Sequence, residues 1–336
     1  MHPELFRIPG FDLTVKSYGL MMVIGFICAV YIIRRLSRDI TPDPRLITNA
    51  ALYSLIAGIV GARIFYVVHH FDEFQDGFLS FFAVWKGGLE LIGGVILAIL
   101  VIFLFLLYHK LPIRQYLDIL AVGLMLALAC GRIGCFLNGC CFGKPTDLPW
   151  AVRFPYGSFA YSTQVRPDYD RNREEPYMNL PESFFSYYTS EDESFKVLKS
   201  YNELTAEQKK YLKEQDKFYS LPVHPTQLYS SAAGLSLCLL LYLLWRRTRT
   251  VLKERKTSLI AKPGCVFSVM FILYGIARFY IETLRDDNPF EYGWWIIYKG
   301  GTISQNLGMY LVIAGVLLLI IFQKSKLPPA RTNYSK

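Results

Sequence analysis

Seven mostly apolar stretches recur along the chain, at 18–33, 47–68, 87–108, 116–136, 227–245, 264–284 and 307–322, separated by shorter polar or charged segments. A helix needs about 20 such residues to cross the hydrocarbon of a bilayer. The pattern therefore predicts an all-α polytopic membrane protein with seven transmembrane helices. The first stretch has only Lys16 in its lead-in and no small-residue cleavage site after it, so it is expected to stay in the membrane and not to be removed as a signal peptide.

Lysine and arginine accumulate in the cytoplasmic loops of such proteins. Here "RRLSRD" follows the first span, "HKLPIR" joins the third to the fourth, "WRRTRTVLKERK" joins the fifth to the sixth and "QKSK" follows the seventh. All four fall on one side of a seven-span count. The expected orientation is N-terminus outside and C-terminus cytoplasmic. It places the loops "HHFDEFQDGFLSFFAVWK", 143–223 and 286–305 outside.

The segment 144–222 breaks the apolar pattern. It mixes both charge signs, and "TAEQKKYLKEQ" opens with the signature of a capping box and predicts a short helix. The aromatic run "ESFFSYYTS" argues for packing against protein or the lipid interface, against a disordered insertion. The expected organisation is one transmembrane domain over 1–336 with a partly helical extracytoplasmic head inserted at 144–222.

Composition agrees with this picture: 53% hydrophobic and 15% aromatic residues with a mean hydropathy of +0.28, a combination that soluble domains seldom reach. The net charge of +9 would suit nucleic acid, but the basic residues cluster beside apolar spans, so no nucleic-acid partner is expected. The seven cysteines are odd in number and sit in or beside the spans, unlike a disulfide framework.

Ionisable residues near hydrocarbon are costly and mark functional sites. Arg63, Arg132, Arg278, Glu282 and Arg285 all stand toward the expected outer ends of spans. Arg278 and Glu282 are i, i+4, and Arg285 is three residues beyond the glutamate, so the trio forms one polar stripe. An ion pair that only stabilises the bundle is the plain alternative. Three arginines from three spans, with glycines beside Arg63 and Arg132, instead suit an anion such as a lipid phosphate, which guanidinium groups grip through paired hydrogen bonds. "VHPTQLYSS" adds His224, Gln227 and Tyr229 at the start of the fifth span, with an interfacial or capping role as the alternative for the histidine. Tyr18 opens the first span and also reads as a belt aromatic.

The stretch "GRIGCFLNGCCFGKPT" carries Cys135, Cys140 and Cys141. Small-residue packing, free thiols, a vicinal disulfide, pairing with Cys135 and a transient carrier role all stand as readings. Zinc is disfavoured by the absence of a CxxC pair or a matching histidine spacing. No metal or soluble cofactor is expected.

The motifs "YGLMMVIGF", "GARIFYV", "GGLELIGGV", "GRIGCFLNGCCFGKPT", "HPTQLY", "YGIARFYIETLR" and "GGTISQNLGM" together resemble the prolipoprotein diacylglyceryl transferase family, in the family's order and over most of the chain outside 144–222. The resemblance implies a bacterial inner-membrane enzyme that moves the diacylglyceryl group of phosphatidylglycerol to the lipobox cysteine of a preprolipoprotein, forming a thioether and releasing glycerol-1-phosphate. It implies Arg132 and Arg278 as the principal phosphate-binding and catalytic arginines, with Tyr18, Asn138 and Glu282 lining the site. It also matches Arg63, Gly131, Gly134, Gly143, Gln227, Tyr229 and Asp118, the last toward the cytoplasmic half and open to a structural role.

Two departures stand out. The family's usual histidine before the glycine pair of the third span is Ile92 here, and the family's asparagine and glutamate are replaced by Cys135 and Cys140. Glu90, Glu282 and His224 become the candidates for the base that takes the acceptor's thiol proton. The alternatives are a divergent paralogue acting on another acceptor and a lipid-binding or transport protein that keeps the fold without the reaction. A channel is disfavoured because the polar residues gather at one face.

Overall fold

The computed structural model describes residues 4–7, 14–41, 43–71, 88, 90–169, 173–189, 194–254, 261–286 and 297–325. The expected loops around 72–86 and 287–296 and the basic run 255–260 lie outside the described residues. The chain opens with a small antiparallel hairpin, β1 (Glu4–Arg7) and β2 (Thr14–Lys16). The apolar stretches become helices α1 (Ser17–Ser37), α2 (Arg45–His69), α3 (Leu91–Tyr108) and α4 (Ile113–Asn138). After the polar insertion come α7 (Thr226–Lys253), α8 (Cys265–Thr283) and α9 (Ile303–Lys324).

Six of these are long and apolar enough to cross a membrane, and α3 is a shorter apolar helix. Many of their large apolar side chains point outward: Ile27, Ile99 and Leu239 are all about 60% exposed, as lipid-facing residues are. The third helix starts at Leu91 and not at 87, because Gly88 sits at φ +74° and Glu90 is extended ahead of the first turn. The fifth apolar stretch continues as helix to Lys253 through "RRTRTVLK", whose arginines and lysine are good helix formers.

The chain divides into two compact units. The first combines residues 1–26, 125–240 and 268–317; the second combines 27–124, 241–267 and 318–336. In the second unit α2 and α3 meet through glycines: a Cβ on Gly61 would lie 2.5 Å from the Gly93 carbonyl oxygen, so only glycine allows that approach. Asp118 on α4 is 3% exposed, and its carboxylate accepts from the backbone N–H of Gly264 (2.8 Å) and Phe267 (3.0 Å). It thereby satisfies donors that the start of α8 would otherwise leave unpaired in an apolar setting. Its carboxylate ties α4 to the start of α8.

In the first unit, Ser231 of α7 donates to the Ala129 carbonyl of α4 at 2.9 Å, and α8 and α9 approach through Gly275 and Gly308. The insertion belongs to this unit. Its two ends pair with one another through bridges Pro145↔Val223, Val152↔Val223 and Pro155↔Tyr219. Beyond them lie α5 (Phe159–Gln164), a hairpin of β3 (Phe185–Thr189) and β4 (Ser194–Leu198), and α6 (Ala206–Glu214). The capping box read from "TAEQ" is present: Thr205 and Gln208 exchange their bonds at the start of α6. Tyr156, Tyr161, Phe184, Phe185, Leu204 and Leu212 form a core of the insertion's own. The tyrosine hydroxyls stay satisfied there, Tyr161 on the Lys217 carbonyl and Tyr156 on that of Lys199. The β3–β4 hairpin was not predicted, since a strand pair of this kind is set by its long-range packing as much as by local propensity.

Candidate active site

Three helices of the first unit build the site. Leu128 and Arg132 on α4, Ser230, Ala233, Gly234 and Leu237 on α7, and Tyr274, Ala277, Arg278 and Ile281 on α8 line one cavity. Each set recurs at helical spacing on one face of its helix. Two guanidiniums thus share a cavity whose remaining walls are mostly apolar.

Arg278 is held at one edge and left open at the other. Its Nη2 donates to Ser304 Oγ at 2.6 Å and lies 2.9 Å from Glu282 Oε2. Its Nη1 is buried and has no hydrogen-bond partner among the described residues. Glu282, 3% exposed, is also 3.5 Å from Arg285 Nη1 and accepts from Thr302 Oγ1 at 3.1 Å. The polar stripe expected on α8 is therefore real, and α9 completes it. Thr302 and Gln305 form a capping box at the start of α9. Ser304 and Thr302 had not been singled out from the sequence, although "GGTISQNLGM" was among the matching motifs and T-x-x-Q before an apolar run was legible.

The end of α4 is bound to the start of α7. Gln227 is fully buried and donates from Nε2 to the Cys140 carbonyl, and Thr226 donates to that of Cys141, both at 2.7 Å. Gly143 N–H donates to the His224 carbonyl at 3.0 Å, and a Cβ on Gly143 would lie 2.6 Å from His224 Cβ and 2.8 Å from the Leu284 carbonyl oxygen. This close approach requires glycine. His224 Nδ1 lies 3.4 Å from the Tyr229 hydroxyl, which accepts from Trp150 Nε1 at 2.7 Å. Tyr18 packs on α4: a Cβ on Gly134 would meet its Cα and ring at 3.3 Å, and one on Gly131 would meet Met22 Sδ at 3.2 Å. Asn138 is the last residue of α4, next to the cysteine turn.

The three sulfurs of Cys135, Cys140 and Cys141 lie within 4.8 Å of one another, and all three are free thiols. Hydrogen bonds from Cys135 and Cys140, then the charges of Arg285 and Arg132, hold the Cys141 thiol well below the usual thiol range. Pairing with Cys135 is one of the readings open from the sequence for Cys140 and Cys141, and the turn after α4 brings the three sulfurs together.

Arg63 and Glu90 belong to the second unit. Arg63 is 8% exposed and donates from Nη1 to the Gly88 carbonyl at 2.9 Å, and the Glu90 carboxylate lies 2.8 Å from His69 Nδ1. Ile92 is 67% exposed.

Fold and site together define a multi-pass helical membrane protein with a paired-arginine cavity. The chain belongs to the prolipoprotein diacylglyceryl transferase family, whose model, described as Prolipoprotein diacylglyceryl transferase, matches residues 3–321. It is similar to bacterial proteins named phosphatidylglycerol–prolipoprotein diacylglyceryl transferase. That of Roseobacter denitrificans is 26% identical over 95% of both chains. That of Burkholderia orbicola is 28% identical over 93% of this chain and 94% of its own. That of Thermosynechococcus vestitus is 27% identical over 84% of each.

Proposed function

We propose that the protein transfers the diacylglyceryl group of phosphatidylglycerol to the lipobox cysteine of preprolipoproteins. The observation that carries this reading is the pairing of Arg132 and Arg278 in one apolar-walled cavity with Arg278 Nη1 unspent. A lipid phosphodiester needs that combination: a cationic grip for the headgroup and apolar walls for the acyl chains. The acceptor thiol gives up its proton to solvent, and its sulfur attacks the glyceryl carbon bonded to the phosphoryl oxygen. The C–S bond forms, the C–O bond breaks, and the electron pair departs on glycerol-1-phosphate, where the two arginines stabilise the growing charge.

Glu282 acts here as a positioning residue. Its oxygens are engaged by Arg278, Arg285 and Thr302, so it aims the guanidiniums at the phosphate. Gln227, Gly143 and Asn138 hold the turn after α4, while Tyr18, His224 and Tyr229 border it. Positive charge between spans supports an orientation with the N-terminus outside, the C-terminus cytoplasmic and the site toward the outer leaflet of the bacterial inner membrane, where segment 144–222 would form an extracytoplasmic head.

The test is reconstitution. Purified protein in phosphatidylglycerol vesicles with a synthetic lipobox peptide should give a diacylglyceryl thioether and free glycerol phosphate by mass. Both products should fall by about 100-fold or more in Arg132→Ala and in Arg278→Ala. Lipid bound without either product, with the peptide thiol confirmed free, would overturn the reading in favour of another acceptor or a binding protein.

A further inference from the structure

The residues lining the arginine cavity do not include Cys135, Cys140 or Cys141, and the phosphate chemistry makes no use of them. Yet their arrangement is built. Cys135 lies in the last turn of α4, 8% exposed. The chain then reverses through Gly139 at φ +79°, with the N–H groups of Gly139 and Cys140 both donating to the Cys135 carbonyl at 2.9 and 3.2 Å. Cys141 itself takes φ +60°, a left-handed conformation that costs an L-residue about 1 kcal/mol or more. Gln227 and Thr226, both buried, lock the carbonyls of Cys140 and Cys141 in that turn. Small-residue packing would need neither the strain nor the locks. The Oε1 of Gln227 is buried with no partner among the described residues.

We propose that Cys135, Cys140 and Cys141 bind a zinc ion through three thiolates and leave its fourth position open to the acceptor's thiol. Tetrahedral zinc with Zn–S bonds of about 2.3 Å places its sulfurs about 3.8 Å apart. Sulfurs already within 4.8 Å reach that spacing by small side-chain rotations. Three protein ligands with an open fourth position is the arrangement of a catalytic zinc site; four would close it. Zinc has no redox chemistry and so is compatible with an oxidising face. Three thiolates on a divalent ion leave one net negative charge, and Arg285 pairs through its backbone with Gly143, two residues beyond Cys141.

The role of the fourth position rests on the transferase reading. The acceptor thiol loses its proton to solvent on coordination, which supplies the nucleophile without a side-chain base. Its sulfur then bonds to the glyceryl carbon as the C–O bond to phosphate breaks. The product thioether is neutral and binds zinc more weakly than a thiolate, so it leaves and the position reopens.

The experiment uses the full-length protein in lipid nanodiscs. Protein isolated without added metal should contain one zinc per chain. After chelation and reduction, one equivalent of Co2+ should give a thiolate-to-cobalt charge-transfer band with tetrahedral d–d bands. Cys135→Ser, Cys140→Ser and Cys141→Ser should each weaken cobalt binding by more than about 100-fold, whereas Cys28→Ser and Cys238→Ser should leave it intact. A lipobox peptide with a free thiol should shift the cobalt spectrum, and its S-methylated form should not. Three thiols that titrate freely beside added cobalt, or a disulfide among the three in protein taken directly from membranes, would overturn the proposal. The two readings fail separately. Cobalt binding without thioether formation would leave the metal site and sink the transferase. Thioether formation that survives chelation and the triple serine variant would do the reverse.

Discussion

Asp118 and Arg278 both stand in apolar helices, and they are satisfied in opposite ways. Asp118 spends both carboxylate oxygens on the backbone at the start of α8. Arg278 spends Nη2 on Ser304 and Glu282 but keeps Nη1 buried and unpaired among the described residues. Leaving a buried donor unmade costs about 1–3 kcal/mol, more for a charged group. A fold that tolerates this at Arg278, while saturating Asp118, separates a polar group that holds helices together from one that waits for a ligand. The first kind should answer to stability measurements and the second to turnover.

The sharpest way to break the comparison is Arg278→Ala, for which kcat/KM should drop by about 100- to 1000-fold or more, far beyond any change in Asp118→Asn. Arg278→Lys should recover little, because an ammonium cannot reproduce the planar fork that reaches Ser304, Glu282 and a phosphate oxygen together. A lysine variant with near-normal turnover would reduce the role of Arg278 to a point charge. Glu282→Gln comes next, with a loss of about 10- to 100-fold expected. It should act on kcat more than on KM, since the guanidiniums still bind phosphate but lose the carboxylate that orients them. A pure rise in KM would instead mean that Glu282 only tunes binding.

The surroundings of Arg278 also show what the sequence made legible. The apolar pattern located the seven apolar helices among the described residues, and the i, i+4 and i+3 spacing of Arg278, Glu282 and Arg285 predicted their stripe, because both patterns are local. The capping box at Thr205 was readable for the same reason. Three features were not carried by that pattern or spacing. Ser304 reaches Arg278 from another helix, the β3–β4 hairpin forms over the insertion's core, and the cysteine sulfurs meet only because Gly139 and Cys141 reverse the chain. Spacing rules for metal sites assume extended turns such as CxxC, so they passed over a cluster made by a helix end and a left-handed turn. Ser304→Ala should lower kcat/KM by about tenfold, the worth of one hydrogen bond to a charged group. An effect below about twofold would show that Glu282 alone positions the arginine.

Asp118→Asn should have the smallest effect on turnover and the clearest on stability. Asparagine keeps the shape but replaces one acceptor oxygen with an NH2, so one of the N–H groups of Gly264 and Phe267 would face a donor in a buried setting. The expected cost is about 1–3 kcal/mol, seen as an earlier thermal or denaturant transition of the protein in lipid, with kcat/KM within about twofold of wild type at temperatures where the fold is intact. A variant that unfolds normally but turns over slowly would contradict the division drawn here. It would mean that the carboxylate of Asp118 reaches the chemistry through the fold, and that full saturation of a buried charge does not by itself mark a structural role.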